Sequence, residues 1–476
     1  MNAQIVKLFG LMLVLYAALI GFTSWWSVVD AEELRDHQAN RRTLLEEERS
    51  RRGTITAGGQ LLARSNPQGE GARRIYVRSY PQAERFAHAV GYSYVQRGRT
   101  GIERTQNDRL VGERPEFLSI IDRLTGRRIE GDDIELTLHP GAQRAAIEGL
   151  RTAPGNRRGA AVAIEPASGR VLAMASLPSY DPNRVPDEFG ALRAAEGSPL
   201  LNRATQGRYV PGSTFKVVTA AAALDSGRFT PLSTVDGRSG IEIGGVPLRN
   251  FGGSSFGHVT LTTALTNSVN TVWAQVGEQL GAATLYRYLD RFGFNQVPPL
   301  DYPESQMIAS GAYGEGGGLL DRDDPIDIGR LAIGQERLAV TPLQMAMVVA
   351  AIANDGKLMR PRLLARVIDR DGRVSEELER EGVGRVIKRE TAAQLKQMMA
   401  GVVREGTGTA AALQGIEVGG KTGTAEVGAV NQAWFVGFAP VSSPRVAVAV
   451  TVERTSGQGG TVAAPIARRI MEELLR

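Results

Sequence analysis

The sequence predicts an α/β protein carried on a single apolar helix and preceded by a smaller α+β module. Three observations carry that expectation. Leu8 to Val29 holds no charged residue, apolar runs near residue 160 are answered by two more between Ala433 and Val452, and three long helical stretches lie between those pairs. Strands at both ends of a segment with helices inside it imply a sheet completed by the C-terminus.

The uncharged span is long enough to cross a bilayer at about 1.5 Å per residue, and Trp25 and Trp26 sit where an aromatic belt would place them. A cleaved signal peptide would have a shorter apolar core, a more basic front and a small-x-small cleavage site, so residues 1–29 are expected to be a retained anchor preceded by a short polar end. Only Lys7 precedes the span while Arg35, Arg41 and Arg42 follow it, which leaves its orientation unspecified by charge. Residues 30–155 are rich in Arg, Glu and Gly around short apolar patches (Ile75-Tyr76-Val77, Phe86 to Tyr94, Ile134 to Leu138) and read as an α+β module. At Pro154-Gly155 the texture changes, and residues 156–476 are expected to form the main domain. Ala160 to Ile164, a turn, and Val171 to Met174 give strand, turn, strand. Helices are expected over Thr214–Leu224, Leu261–Leu280 and Pro342–Asn354, each stopped by Gly or Asp-Gly signals. Ser310 to Leu319 is expected to be a glycine-rich loop, either mobile or an inert surface insertion, and an amphipathic helix from Pro465 to Leu475 closes the chain.

Composition narrows the chemistry. Of 476 residues 42% are hydrophobic and 22% charged, which suits two or three folded units and excludes a disordered tail protein. The net charge of +5 has no basic block to concentrate it, so no nucleic-acid partner is expected. With no cysteine there is neither a disulfide scaffold nor a cysteine nucleophile, and His37, His88, His139 and His258 are too dispersed to suggest a metal site. Only six of the 56 basic residues are lysine (Lys7, Lys216, Lys357, Lys388, Lys396, Lys421). Where lysine persists against that bias, arginine is a poor substitute.

Two motifs mislead. Gly415 to Thr422 fits the phosphate-loop pattern G-x-x-x-x-G-K-T, yet that loop needs a helix starting at the lysine, and strands follow instead. Gly253-Ser254-Ser255-Phe256-Gly257 beside His258 fits a nucleophile elbow, but a turn precedes the serine where a buried strand is required. Both are expected to be structural.

Pro211-Gly212-Ser213-Thr214-Phe215-Lys216 opens the first helix, so Ser213 and Lys216 share a face one turn apart. Serine attacks only after a base takes its proton, and lysine is that base only when burial or a neighbouring cation lowers its pKa. Ser268-Val269-Asn270 adds a hydroxyl and an amide, expected within the second helix. Lys421-Thr422-Gly423-Thr424, expected just before a strand, offers a cation and hydroxyls for a carboxylate, with glycine admitting a ligand close to the backbone. S-x-x-K, S-x-N and K-T-G in that order form a strong joint signal.

With these motifs in place the chain resembles the penicillin-recognising serine acyltransferases, and among them the class B penicillin-binding proteins. Further blocks match in order: Arg52-Gly53-Thr54-Ile55 with Gly59 to Ala63, Gly91-Tyr92-Ser93 with Thr100-Gly101-Ile102-Glu103, Leu136-Thr137-Leu138 leading to Gln143, Ile333-Gly334-Gln335, and Val340 to Ala346. At position 58 glycine follows alanine where many class B members have an Asp-Arg-Asn-Gly turn, a departure that bears on packing of the N-terminal module. The resemblance implies a β-lactamase-like transpeptidase fold on an N-terminal pedestal, and a D,D-transpeptidase that cross-links peptidoglycan stem peptides. Ser213 would attack between the terminal D-alanines with Lys216 as base. Ser268 would pass the proton to the leaving D-alanine, and Asn270 would hold Lys216 and the substrate amide. Lys421, Thr422, Gly423 and Thr424 would bind the substrate, and the N–H groups of Ser213 and Thr424 would form the oxyanion hole. It further implies no cofactor, β-lactams as covalent inhibitors, a membrane glycan polymerase of the SEDS type as partner, and a single-pass location in the cytoplasmic membrane with residues from Asp30 onward outside. A β-lactam sensor would carry a four-segment membrane region, and a serine β-lactamase would be a short secreted domain. Neither description fits this chain.

Overall fold

A computed structural model describes residues 2–28, 50–70, 74–112, 130–155 and 157–476. The expected boundary at 29/30, residue 156, and Arg35, Arg41 and Arg42 lie outside the described residues. Helix α1 (Asn2–Val28) is apolar on every side, and Gln4–Trp26 has mean hydropathy 2.3. A helix with no polar stripe has no aqueous face, which is the composition of a membrane span.

The N-terminal module is built on β1 (Ile55–Ala57), β2 (Gln60–Gln68), β3 (Ile75–Ser79) and β4 (Asp133–Leu136). β1 and β2 form a hairpin closed between Ala57 and Gln60 by Gly58 and Gly59, with φ of 50° and 77°. Of the two-residue turns that match strand twist, type I′ needs positive φ at both positions, and a Cβ on Gly58 would lie 2.8 Å from the Pro140 ring. That accounts for the glycine at the position where many class B members have an Asp-Arg-Asn-Gly turn. Beneath the sheet Glu103 is fully buried and accepts 2.6 Å bonds from Arg52 and from Arg78. Burial by itself raises a carboxyl pKa, but the two guanidiniums outweigh it and hold Glu103 below its ordinary value. Two separate sequence motifs, Arg52-Gly53 and Gly101-Ile102-Glu103, therefore meet in one ion triad.

The main domain is organised around β5 (Gly159–Ile164) and β6 (Val171–Leu177), reached through α2 (Pro140–Thr152). The first of the three expected helices departs from expectation: Gly212–Phe215 form a 3₁₀ turn, and the α-helix proper is α3 (Lys216–Asp225). The expected helix Leu261–Leu280 is two helices, α4 (Leu261–Thr266) and α5 (Asn270–Leu280), broken at Ser268, whose φ is 58°. The break is supported from outside: Asn250 Oδ1 reaches across from another loop to accept from Thr271 N at 3.0 Å, so the start of α5 is capped there. Helix α6 (Pro342–Ala353) forms as expected. The stretch Ser310–Leu319 is not wholly loop, because Gly311-Ala312 pairs with Leu338-Ala339.

Strands β7 (Leu364–Ile368) and β8 (Val374–Glu377) arise in the main domain's sequence but pair with the N-terminal module, giving one six-stranded sheet in the order β8-β7-β4-β1-β2-β3. The expected division near residue 155 is thus crossed by backbone hydrogen bonds. Helix α7 (Arg389–Arg404) follows, then β9 (Gly419–Val427), β10 (Val430–Ala439), β11 (Val446–Thr455) and α8 (Ala463–Leu475). These strands join β5 and β6 in an antiparallel five-stranded sheet ordered β9-β10-β11-β5-β6, with β9 at an edge. Its inner strands are continuously apolar because both faces are covered: Ala161, Ala163, Val448 and Val450 pack with Ile466 and Ile470 of α8, while Ala160, Val162, Ala447 and Ala449 pack with α6.

Candidate active site

Three elements converge on Ser213. The turn Gly212–Phe215 is tied to the loop after residue 332 by Gly212 N donating to Gly334 O at 2.9 Å. Strand β9 presses on the same turn, since a Cβ on Gly423 would stand 2.8 Å from Pro211 O and 2.9 Å from Thr214 Cγ2. Only glycine allows that approach. The break between α4 and α5 brings Ser268 and Asn270 from the third side.

Lys216 is fully buried with Nζ 3.0 Å from Ser213 Oγ. Nζ also donates to Ser268 O at 2.8 Å and to Asn270 Oδ1 at 2.6 Å. The Asn270 amide is oriented by its Nδ2, which donates to Arg249 O at 3.1 Å, so oxygen faces the lysine. An uncharged lysine amine has two N–H donors and one lone pair. The carbonyl and the amide oxygen accept from both donors, which leaves the lone pair for the Ser213 hydroxyl proton. Burial, and then the positive charge of Lys421, push the Lys216 pKa well below the ordinary lysine value.

Lys421 lies within β9 and not before it, and it is fully buried where an edge-strand charge would be solvated. Its Nζ donates to Ser268 Oγ at 2.9 Å and Thr422 O at 2.9 Å, and burial lowers its pKa to about 7. Ser268 Oγ stands between the two amines, 3.3 Å from Lys216 Nζ. Thr422 and Thr424 are two apart on β9 and so share a strand face. Both line a cleft of about 780 Å³ with Ser213, Ser268 and Asn270. Thr422 Oγ1 lies 2.6 Å from Thr407 Oγ1, and Thr424 Oγ1 accepts from Gly459 N at 3.1 Å.

All eight residues expected from the sequence therefore come together. The two misleading motifs resolve as structural: Lys421 of the phosphate-loop pattern is inside a strand, and Ser254, Ser255 and His258 are exposed. Phe251, Gly252 and Gly253, the last of which opens the false elbow, nevertheless line the cleft, as do Arg249, Asn250, Gln335 and Glu336. The sequence carried a signal for Gln335 in the Ile333-Gly334-Gln335 block and none for the others.

A serine bonded to a desolvated lysine on one helical turn, facing a second serine and an edge strand bearing a lysine and two threonines, is the arrangement of a serine acyltransferase. The comparisons agree with that class. Residues 159–472 match the penicillin binding protein transpeptidase domain and residues 52–134 the penicillin binding protein A dimerisation domain. The chain belongs to the penicillin-binding protein transpeptidase family. It is 36% identical to the peptidoglycan D,D-transpeptidase PbpA of Mycolicibacterium smegmatis, covering 100% of this chain and 99% of that one. Penicillin-binding protein A from M. tuberculosis, solved as a penicillin G acyl-enzyme complex, superposes with a TM-score of 0.79 at 34% identity over 90% of this chain and 100% of that one. PBP2 of Pseudomonas aeruginosa gives 0.73 at 31% identity over 89% of this chain and 95% of that one. The likeness to actinobacterial penicillin-binding protein A was already visible in the phrase Ile55-Thr56-Ala57-Gly58-Gly59-Gln60-Leu61-Leu62-Ala63.

Proposed function

We propose that this chain is a serine-type peptidoglycan D,D-transpeptidase in which Ser213 is acylated with Lys216 as its base. The observation that carries the assignment is the Lys216 amine 3.0 Å from Ser213 Oγ with both other donors occupied by Ser268 O and Asn270 Oδ1. Ser213 attacks the carbonyl between the terminal D-alanines, and its proton passes to Lys216. Ser268 Oγ, in contact with both lysines, relays a proton to the leaving D-alanine. The substrate carboxylate is held by Lys421, Thr422 and Thr424, and its presence favours the charged form of Lys421. The N–H groups of Ser213 and Thr424 receive the oxyanion. An amine of a second stem peptide then takes the acyl group.

Helix α1 serves as the anchor in the cytoplasmic membrane, the pedestal spans residues 30–155, and the transpeptidase domain spans 156–476 on the outer face, where a membrane glycan polymerase of the SEDS type supplies the strands to be cross-linked. The family matches at 52–134 and 159–472 support that division. Fluorescent penicillin should label the full-length chain in detergent, and peptide mapping should place the label on Ser213. The acyl-enzyme should persist, with deacylation far slower than acylation. Label retained in Ser213→Ala, or rapid turnover of a chromogenic cephalosporin, would remove the assignment.

A further inference from the structure

Cross-linking brings two peptides to one serine, and β9 with its threonines accounts for the donor alone. A second, shallow and open cavity of about 610 Å³, bordered in part by Pro325 to Gly329, adjoins the catalytic cleft, and Glu336 lines both. The other carboxylates of that second cavity are engaged. Glu278 Oε1 accepts from Gly244 N at 3.2 Å, while Asp327 accepts from Arg330 N at 2.9 Å and lies 3.3 Å from the Arg330 guanidinium. Among the described residues the Glu336 carboxylate has no hydrogen-bond or ion-pair partner.

The backbone beneath it is strained. Glu336 and Arg337 are adjacent non-glycine residues with φ of 52° and 44°, a conformation that persists only where its surroundings enforce it. Here they do. Gly212 N holds Gly334 O at 2.9 Å, Gln335 N bonds Arg330 O at 3.1 Å, and Tyr313 N bonds Arg337 O at 3.0 Å. Glu336 is half-exposed and Arg337 exposed, so no packing of these side chains explains the strain. The loop is fastened to the backbone next to the nucleophile and presents Glu336, whose carboxylate is unpaired among the described residues, to the walls of both cavities.

We propose that Glu336 is the positioning residue for the acceptor. Its carboxylate holds the ammonium of the incoming peptide at the junction, so that the acceptor enters through the second cavity while the donor occupies the cleft along β9. This rests on the reading of Ser213 as the acylated nucleophile. The ammonium first gives one proton to solvent. Its nitrogen then bonds the acyl carbon, the ester bond to Ser213 Oγ breaks, and one of the amine's remaining protons returns to Oγ.

The test uses full-length protein in detergent, a D-alanyl thioester as donor, and two acceptors: Nα-acetyl-lysine, whose side-chain amine is cationic at neutral pH, and hydroxylamine, which is uncharged there. The readout is the ratio of aminolysis to hydrolysis of the acyl-enzyme. Glu336→Gln should lower the ratio for the lysine derivative about three- to tenfold through a higher KM for acceptor, as loss of a charge-assisted contact at a half-exposed site predicts. Glu336→Lys should lower it further, Glu336→Asp should restore most of it, and added salt should shrink the wild-type advantage. Hydroxylamine ratios and penicillin acylation should stay within about twofold of wild type. An unchanged ratio for Nα-acetyl-lysine, an equal loss with both acceptors, or a parallel loss of penicillin acylation would each overturn the proposal. Wild-type protein that takes no penicillin label at Ser213 would instead overturn the assignment beneath it.

Discussion

Lys216 and Lys421 are both fully buried and both touch Ser268, yet they face different demands. In the proposed mechanism Lys216 is uncharged when it takes the Ser213 proton, whereas Lys421 is charged when a carboxylate arrives. Arginine cannot lose its proton. Lys216→Arg should therefore lower the penicillin acylation rate by about a hundredfold to ten-thousandfold, the range for a removed general base. Lys421→Arg keeps a charge but must fit a planar head into a buried slot, and a loss of about tenfold to a hundredfold is expected. Acylation rates of both variants, compared after melting curves confirm folding, decide the order. The pH profile follows from the same pair. Acylation should climb as pH rises through the depressed pKa of Lys216, since only the neutral amine is a base. It should decline as pH rises past the Lys421 value of about 7, where the carboxylate anchor discharges. Because the Lys421 charge helps to depress Lys216, Lys421→Met should move the acid limb to higher pH. An acid limb that stays in place in that variant would mean that another group governs it.

At the level of elements, the break between α4 and α5 sets Ser268 in a left-handed conformation that L-residues adopt at a cost of about 1–2 kcal/mol. Ser268→Ala and Ser268→Gly both remove the relay hydroxyl and should lose acylation alike. The glycine variant should nevertheless be more stable by about 1 kcal/mol in chemical unfolding. In the pedestal, Glu103→Gln would leave two buried guanidiniums facing no charge, and a loss of about 3–5 kcal/mol is expected. Glu103 is held below its ordinary pKa, so its contribution is fully present above the unfolded-state value and is lost as pH falls through the folded one. Urea unfolding from neutral to acid pH should show an acid limb that flattens in the variant. Local signals in the sequence were enough to place Ser213 and Lys216 on one turn, because three-residue spacing fixes a helical face. They were enough for β5, β6, β10 and β11, whose apolar runs reflect burial on both sides. They were silent on the break at Ser268, which depends on a cap from Asn250 about twenty residues away, and on the burial of Lys421. Helices Ala282–Arg291 and Arg389–Arg404 were missed despite clear amphipathic spacing. Glu336 carried no signal at all, since its role depends on which cavities meet beside it.

Across the whole molecule, β7 and β8 bind the pedestal and the main domain into shared secondary structure, with Val367 of β7 set against Ile134 of β4. Stability should then be joint: fluorescence and circular dichroism should report one coincident unfolding transition, and two separated transitions would contradict it. The position of β9 at the edge of the five-stranded sheet has a consequence for how such a protein evolves under an antibiotic. An edge strand offers N–H and C=O groups to an added peptide, and those groups belong to the main chain. Short of proline, substitution cannot delete them, so a lineage escaping a drug that imitates the substrate cannot do so by discarding its main-chain recognition atoms. It must alter the shape around them, through the twist of β9 or the loops at Asn250–Gly253 and Gln335–Arg337, and every such change is also felt by the natural peptide.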